Sequence, residues 1–538
     1  MNSAIYNPLE EYENKFKNFH AENTNSFFEK LVQQSGVNIA ENRETVKQYN
    51  AYRDDLPKLK KKLTRYRFLR VLLILTIFFI PLVILKTTPK IKELRSDIDQ
   101  ADQKVNDLLA AAYRQMLPLN NLFTDRDALN LIQSTIPLLS FNSCFSTKQE
   151  LDMKINYDFC AYNEDEQSTI DVLSGHYNEN PFLFENKLIH TIETETYRGS
   201  KTISWTETYI DSDGERQERT RTETLYATVK RPKPVYHTQV VLNYGSQNGP
   251  ELSFSRDASH LERKSEKEIE RYVKKGGKKL KKMTDKAIRQ ERDFMSMSNI
   301  DFEVLFDALD RTNEVQFRTI FTPLAQTNMV HLILSKSGYG DDFDFIKEKR
   351  MNRIISQHSQ GRPINLSKDN YVSYSFDIIQ ENFTNKNTEY FKAVYFDFAP
   401  LWAIPVYQER PIHSLKPIPE YSQLYSDKEC EALANAVDKQ YIVHPNTKTH
   451  AILKSKFVNS KNKVDKICIT AYSYDIVKQV DMVSVLGGDG YYHDVPVPWD
   501  EYIPLKASRN FCIAEADVMQ NGNIIARRNG LCIFHSEL

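Results

Sequence analysis

The stretch that decides the predicted fold is residues 68–85, FLRVLLILTIFFIPLVIL. From Val71 to Leu85 the only polar side chain is that of Thr76, and basic residues stand on both sides. At ~1.5 Å per residue, such a helix crosses most of a hydrocarbon layer of ~30 Å. A core helix usually keeps a polar stripe, and this stretch has none. The pattern therefore predicts one transmembrane helix at 68–85.

The lysines and arginines around this stretch predict its orientation. Eight basic residues lie between Arg53 and Arg70, and five lie between Lys86 and Lys104. The more basic flank normally stays in the cytoplasm, so we expect a cytoplasmic N-terminus and an extracytoplasmic C-terminal part. The stretch begins too late for a cleaved signal peptide, so a signal anchor in the plasma membrane is expected. The inverted topology, with a cytoplasmic scaffold domain, stays open.

Composition indicates a folded protein of several domains. The chain has 538 residues, of which 41% are hydrophobic and 27% charged, with a net charge of −1. A chain of this length has room for two or three domains after the apolar stretch. All six cysteines follow that stretch, and either disulfides or ordinary thiols fit their placement.

A heptad-like seam follows the apolar stretch. Its apolar residues recur at spacings of three and four, which predicts a helical stalk at 86–116. The seam consists of Ile91, Leu94, Ile98, Val105 and Leu108, with Ala101 and Ala112 narrowing it. Such a seam serves either a coiled coil between copies of the chain or packing on the chain's own domain. A homo-oligomer formed through the stalk is therefore one of two open interpretations.

Residues 186–245 have the alternating pattern of β-strands. The runs 202–210 and 219–226 stand on either side of Asp213-Gly214, which is a strong hairpin signal. A further strand, Val235–Tyr244, is expected after a break at the prolines of 232–234. The sequence therefore predicts an antiparallel meander over 186–245.

A charged helix is predicted at 259–293, and six lysines cluster within it. They are Lys274, Lys275, Lys278, Lys279, Lys281 and Lys282. The cluster is interpreted as a solvated joint around Gly276-Gly277 between two helices, and an anion-binding patch is the alternative. Nucleic acid is disfavoured as the partner, because the cluster lacks arginine and aromatic residues and four glutamates stand nearby at 262, 266, 268 and 270.

No enzymatic motif stands out. The patterns GxSxG, HExxH and GxxxxGK[ST] are absent, and no CxxC pair suggests zinc. The glycines of 487–490 lack the strand-to-helix context of a nucleotide site. The sequence therefore predicts no catalytic, cofactor-binding or metal-ligating residues and no cofactor.

Three stretches resemble uncharacterised membrane proteins of low-GC Gram-positive bacteria and mollicutes. They are FEVLFDALDRTNEVQFRTIFTPLAQ at 302–326, GDDF at 340–343 and YFKAVYFDFAPLWAIP at 390–405. The resemblance implies a bacterial plasma-membrane location. It carries no known activity and assigns no functional residue.

Together these patterns predict the α+β class. We expect N-terminal helices, one transmembrane helix, a helical stalk, and then domains that mix antiparallel sheet with helix. The boundaries are 1–67 for a cytoplasmic helical tail, 68–85 for the membrane helix, 86–116 for the stalk, 117–300 for a first α+β domain and 301–538 for a second, β-rich at its C-terminus. The expected function is a non-enzymatic binding or scaffold protein with an unknown protein or glycan partner; a membrane-anchored hydrolase is the alternative.

Overall fold

The computed structural model describes residues 5–74, 80–160, 166–210, 212–290, 294–411, 415–516 and 524–535. The chain forms two compact units that alternate along the sequence. Unit 1 takes in Glu10–Pro137 and Asn365–Phe396. Unit 2 takes in Ser3–Leu9, Leu138–Ile364 and Asp397–Leu538.

The described residues contain α-helices and antiparallel strands in mixed order, which confirms the predicted α+β class. The helices are α1 (Pro8–Glu11), α2 (Lys17–Ser35), α3 (Ile39–Ile74), α4 (Ile80–Asn120), α5 (Asp127–Thr135), α6 (Thr147–Tyr157), α7 (Glu266–Arg289), α8 (Ile300–Phe306), α9 (Glu314–Ile320), α10 (Pro323–Leu334), α11 (Phe376–Trp402) and α12 (Asp427–Asn435). The strands are β1 (Leu139–Phe141), β2 (Gln167–Tyr177), β3 (Asn180–Ile210), β4 (Arg216–Gly245), β5 (Ser253–Arg256), β6 (Phe343–Glu348), β7 (Met351–Ser356), β8 (Ile452–Lys461), β9 (Val464–Leu486), β10 (Tyr492–Glu515), β11 (Ile524–Arg528) and β12 (Leu531–His535).

In unit 1, helices α3 and α4 lie side by side and run in opposite directions. Lys60 Nζ is 3.5 Å from Asp102 Oδ1, and farther along Gln115 Nε2 donates to Glu41 Oε1 at 3.3 Å. Apolar side chains between the helices form a buried cluster that consists of Leu56, Leu63, Ile91, Leu94, Ile98 and Ala101. The seam of the predicted stalk therefore packs on α3 of the same chain.

The predicted transmembrane helix at 68–85 needs correction. Its middle, residues 75–79, lies outside the described residues. The apolar run begins in the last turns of α3 and ends in the first turns of α4. Because these two helices are antiparallel, their apolar ends do not add up to one continuous apolar helix. In the described ranges, no helix combines the length and apolar character needed to cross a bilayer. The predictions of a membrane span, a signal anchor and a plasma-membrane location are therefore contradicted.

Unit 2 contains two antiparallel sheets. The larger has seven strands in the order β1-β2-β3-β4-β7-β6-β5, and the smaller has five in the order β11-β12-β10-β9-β8. Helix α12 covers the smaller sheet, where Cys430 and Leu433 pack with Ile467, Ile469 and other buried apolar residues. All six cysteines lie among the described residues, and each is a free thiol.

Two strand pairs are far longer than an ordinary hairpin. β3 pairs with β4 from Phe182↔Tyr244 to Ile210↔Arg216, and β9 pairs with β10 from Asp465↔Ile513 to Leu486↔Tyr492. The first hairpin turns at Asp213-Gly214 as predicted, and Gly214 has the positive φ of 84° that favours glycine at this turn.

The expected break at the prolines of 232–234 does not occur. β4 continues through Pro232 and Pro234, which face Thr194 and Ile192 of β3. The two prolines stand two positions apart, so their nitrogens point to the same edge. Away from β3, the edge of β4 is paired in the described chain only at Leu242–Gly245. A strand tolerates proline where the nitrogen points away from its partner, so the pairing with β3 continues.

The distal parts of the two hairpins pack face to face. We call residues 192–234 and 475–503 the arm. Its inner layer consists of Ile203, Leu225, Ala227, Val495 and Val497. Gly199 lies directly against the backbone of Pro496, so the two layers approach closely at this point. An isolated two-stranded hairpin is marginally stable in water, and this shared apolar layer supplies the missing stabilisation.

Candidate functional site

The arm leaves its outer strand edges unpaired. β2 pairs with β3 only as far as Ile189, and β8 pairs with β9 only as far as Tyr472. On the other side, β12 meets β10 only from Phe511 onward. Within the described residues the arm therefore consists of two stacked ribbons that are joined to the rest of unit 2 at one end.

The β3–β4 hairpin extends farther along the arm than the β9–β10 hairpin that is stacked on it. The turn of β9–β10 lies beside Ile203, Trp205 and Glu223, and the Gly488 N–H donates to Glu223 Oε2 at 2.7 Å. The β3–β4 hairpin continues beyond this turn to Ile210. The inner face of its last residues is consequently left without a covering layer.

An open cavity of about 540 Å³ occupies this step between the hairpins. We call it the tip cleft. It is lined by Trp205, Glu207, Arg219, Arg221, Thr222, Glu223 and Gly488. The register explains the lining, because Trp205 lies opposite Arg221 and Glu207 lies opposite Arg219, all on the inner face.

Glu207 lies at the centre of the polar contacts in the tip cleft. Its Oε1 accepts a hydrogen bond from Trp205 Nε1 at 3.1 Å, and its Oε2 lies 2.5 Å from Arg221 Nε. Arg219 Nη2 is 3.8 Å from the same oxygen, beyond hydrogen-bonding distance. Arg219 also lies over the ring of Tyr209, with 5.9 Å between guanidinium and ring centroid. Each guanidinium carries five N–H donors, so both arginines keep donors for a ligand.

The turn of β9–β10 is held by its own hydrogen bonds. The Tyr491 N–H donates to Asp489 Oδ1 at 3.1 Å, and His493 Nε2 lies 2.9 Å from Asp489 Oδ2. The Tyr491 N–H and the neighbouring His493 lower the pKa of Asp489, although partial desolvation opposes them. The glycines of 487–490 thus belong to a hairpin turn, which agrees with the absence of a nucleotide-binding context in the sequence.

Large exposed apolar side chains also lie at the ends of the two hairpins, where the strand alternation puts Ile210, Leu486 and Tyr492 on the outer faces, outside the tip cleft. Tyr491 and Tyr492 keep 71% and 74% of their surface exposed. Ile210 and Leu486, at the ends of β3 and β9, are exposed as well, and Tyr209 is nearly half exposed. Exposed apolar surface of this kind beside a polar cleft is characteristic of binding sites.

A second charged cavity, of about 100 Å³, lies elsewhere in unit 2. Lys428 Nζ is 2.7 Å from Glu185 Oε1, and Lys454 Nζ is 2.9 Å from Glu431 Oε1. Burial by itself raises the pKa of Glu185, but the charges of Lys428 and Lys187 outweigh it and lower that pKa to about 2. Glu150, Glu185 and Glu431 each have a lysine partner, and Asp427 accepts a hydrogen bond from the Ser455 hydroxyl at 2.7 Å, so this cavity ranks below the tip cleft as a candidate site.

The predicted self-association seam lies mostly inside unit 1. Ile91, Leu94 and Ile98 belong to the buried α3–α4 cluster, and Val105 packs against it. Leu108 is half buried. These positions show how the seam packs within one chain; association between copies stays a prediction.

The six lysines of the predicted anion-binding patch all lie on one helix. They fall within α7, which runs without interruption through Gly276-Gly277, so the expected joint there is absent. Gly276 lies against Val304 of α8, where a Cβ atom would clash. The glycine therefore serves close helix packing, and all six lysines are exposed.

Among the described residues, no group of three or more His, Cys, Asp or Glu side chains is placed to hold a metal ion. Comparison with protein-family models, curated proteins and solved structures found no match for this chain. The resemblance to uncharacterised bacterial membrane proteins therefore stays a prediction. The candidate site rests on the geometry of the arm alone.

Sequence reasoning did not find the tip cleft. The turn at Asp213-Gly214 was the available signal, because a symmetric hairpin about residue 213 places Trp205 opposite Arg221 and Glu207 opposite Arg219. The step that opens the cleft depends on a second hairpin that lies nearly 300 residues farther along the chain. No local pattern indicates that these two hairpins stack.

Proposed function

We propose that this chain is a binding protein that recognises a protein partner at the tip cleft of the arm. The observation that carries this proposal is the step between the two hairpins, which leaves Trp205, Arg219 and Arg221 facing an open cavity. The site offers an aromatic surface and unused guanidinium donors. It has the parts needed for recognition, and it lacks the arrangement of nucleophile and base that catalysis needs.

The residue types at the site favour a protein partner. Tryptophan, tyrosine and arginine dominate the energetics of protein interfaces, and the tip cleft and its rim are rich in all three. Outside the cleft, at the tip of the same arm, Ile210, Leu486, Tyr491 and Tyr492 are exposed as well and add apolar surface for a large partner. A glycan needs an aromatic platform and polar partners but gains little from such aliphatic side chains, so we prefer a protein over a glycan.

The arm also has the construction expected of a recognition element. Its inner apolar layer holds the two ribbons together, so the cleft residues sit on paired strands. Preorganised sites of this kind lose little conformational entropy when they bind. The prolines of β4 and the charged side chains along the ribbons protect the open edges from unspecific strand pairing.

Site-specific photocrosslinking followed by titration tests the proposal. A photoreactive residue is placed at position 209, which lies on the inner face of β3 beside Arg219 of the tip cleft, and, as the matched control, at position 226. Tyr226 is 72% exposed and alternates with the buried Leu225, so it lies on the outer face of the same arm. A protein that crosslinks from position 209 and not from position 226 is then purified and titrated with the full chain.

We expect Arg221→Ala and Trp205→Ala to weaken binding of that protein by at least about 30-fold, as is typical of central interface residues. Tyr226→Ala is expected to bind as the wild type does. The proposal fails if the cleft variants and Tyr226→Ala bind equally. It also fails if the wild type binds an oligosaccharide and loses it on Trp205→Ala, because the glycan interpretation is then correct.

A further inference from the structure

Helix α7 carries the strongest concentration of positive charge in the described chain. Between Arg271 and Arg289 it has nine basic residues and one acidic residue, Asp285. With Lys267, the basic residues of the helix are Lys267, Arg271, Lys274, Lys275, Lys278, Lys279, Lys281, Lys282, Lys286 and Arg289. All ten are exposed, and none forms an ion pair with another described residue.

These side chains share one face of the helix. At 3.6 residues per turn they fall within a sector of about 160°, along a length of about 33 Å. The opposite face is occupied, because Leu280 and Ala287 are buried and Gly276 lies against Val304 of α8. The result is a straight row of positive charges on a helix that is anchored by its apolar side.

The nearby glutamates do not neutralise this row. Glu268 accepts hydrogen bonds from the Ser265 N–H and hydroxyl, at 2.9 and 2.6 Å, as the cap of the helix. Glu262 precedes the helix, and its Oε2 accepts from the Asp341 N–H at 3.2 Å. Glu266 and Glu270 lie in the first two turns, ahead of the six lysines at 274–282. None of these four carboxylates forms an ion pair with a lysine of the row in the described chain.

We propose that the basic face of α7 binds the phosphate backbone of duplex nucleic acid without regard to base sequence. This surface and this partner are separate from the tip cleft and go beyond its proposed role. A regular row of exposed lysines matches a polymer with regularly repeated phosphates, which releases condensed counterions when it binds.

The residue types on this face make an acidic protein or an anionic lipid surface a poorer match than duplex nucleic acid. Protein interfaces are depleted in lysine, so an acidic protein is the poorer match. A helix that binds a lipid surface inserts its apolar face, and on α7 Leu280 and Ala287 of that face are buried in unit 2, which leaves Ile288 as its one exposed large apolar residue. The row has no asparagine or glutamine and no exposed aromatic residue to read base edges or stack on bases, so contact is confined to the backbone.

The test is the salt dependence of binding to a fluorescently labelled duplex of about one and a half helical turns, with the full chain. Six lysine–phosphate contacts predict that the logarithm of the association constant falls with the logarithm of salt concentration with a slope of about −5. The variant Lys274→Gln/Lys278→Gln/Lys281→Gln is expected to reduce the magnitude of this slope by about 3 and the affinity by about 100-fold or more near 0.1 M salt. Duplexes of different base composition are expected to bind equally.

The matched control is Lys456→Gln/Lys461→Gln/Lys463→Gln, which removes three exposed lysines around the β8–β9 hairpin and changes the net charge by the same amount. It is expected to keep the wild-type affinity and slope. Equal losses in the two variants overturn the proposal, because binding is then a property of net charge alone. Binding of the wild type to phosphatidylserine vesicles but not to the duplex also overturns it.

Discussion

The Nδ1 atom of His358 lies 2.6 Å from Oδ2 of Asp342, and its Nε2 atom lies 3.5 Å from Oδ1 of Asp397. The ring also stacks on Tyr339, with 3.8 Å between the ring centroids. Burial raises the pKa of Asp397, and the charge of His358 opposes that rise. One buried imidazole thus lies between two carboxylates in unit 2.

Replacing this imidazole is expected to destabilise unit 2 by roughly 3 kcal/mol, because His358→Gln removes the ring that both buried carboxylates contact. Urea unfolding followed by tryptophan fluorescence measures the loss. The three tryptophans, Trp205, Trp402 and Trp499, all belong to unit 2, so the signal reports on this unit alone. Adding Asp397→Asn to His358→Gln is expected to restore part of the stability. An unchanged midpoint for His358→Gln would show that the carboxylates do not need the ring.

Unit 1 is expected to lose stability as the pH falls from about 6.5 to about 4, because of His20. This ring is buried, its Nδ1 lies 3.0 Å from Thr135 Oγ1, and burial lowers its pKa from 6.5 to about 4. The unfolded chain therefore binds a proton in this pH range while the folded chain does not, and folding becomes less favourable. At pH 5 the contribution is a loss of about 2 kcal/mol relative to pH 7.

Hydrogen exchange of the peptide that covers α2 measures this change, since His20 lies in that helix. His20→Phe keeps the stacking on Phe391 possible and removes the titrating group. The variant should therefore show a flatter pH dependence over the same range. If wild type and variant lose protection in parallel, another group is responsible.

The packing of the arm is expected to depend on Gly199. A larger side chain at this position meets the backbone of Pro496, which cannot move aside without separating the hairpins. Gly199→Val should therefore increase hydrogen exchange in residues 478–500. Ser200→Val is the control, because Ser200 is exposed and its neighbour Gly199 faces the opposite way. Equal protection in the two variants would mean that the layers are not held together at this point.

In helix α7, replacing Gly276 by alanine is expected to destabilise the protein, whereas a glycine-to-alanine change usually stabilises a helix. In an exposed helix interior this change stabilises by about 1 kcal/mol. At Gly276 the new methyl group meets Val304, so Gly276→Ala is expected to lower the urea midpoint of unit 2. A Cβ atom at Gly277 would lie 3.2 Å from Ile300 Cγ2, which is a tight contact but not a clash, so Gly277→Ala should be close to neutral. A stabilised Gly276→Ala would contradict the close approach of α7 and α8.

Local elements of the fold were predictable where a local pattern sets them. The hairpin at Asp213-Gly214 follows from the turn residues and the alternation on either side. The charged helix was expected at 259–293 and is observed at Glu266–Arg289. Its capping box of Ser265 and Glu268 explains where it begins.

The apolar stretch at 68–85 led to the incorrect prediction of a transmembrane helix. Composition describes how apolar a segment is and says nothing about whether its helix continues in one direction. The structure places the ends of this stretch on α3 and α4, which are antiparallel. The seam of Ile91, Leu94 and Ile98 supported a stalk equally well, because a helix that packs on its own chain and one that packs on another copy need the same spacing.

The sequence by itself determined the α+β class, the position of the first long hairpin and the row of lysines on α7, because turn chemistry, side-chain alternation and helical periodicity act over a few residues. Only the tertiary structure decided which helix the seam packs against, that two units alternate along the chain, and that two hairpins nearly 300 residues apart stack with unequal lengths. These outcomes depend on the burial of apolar surface between distant segments, and that energy is not set by any one segment alone.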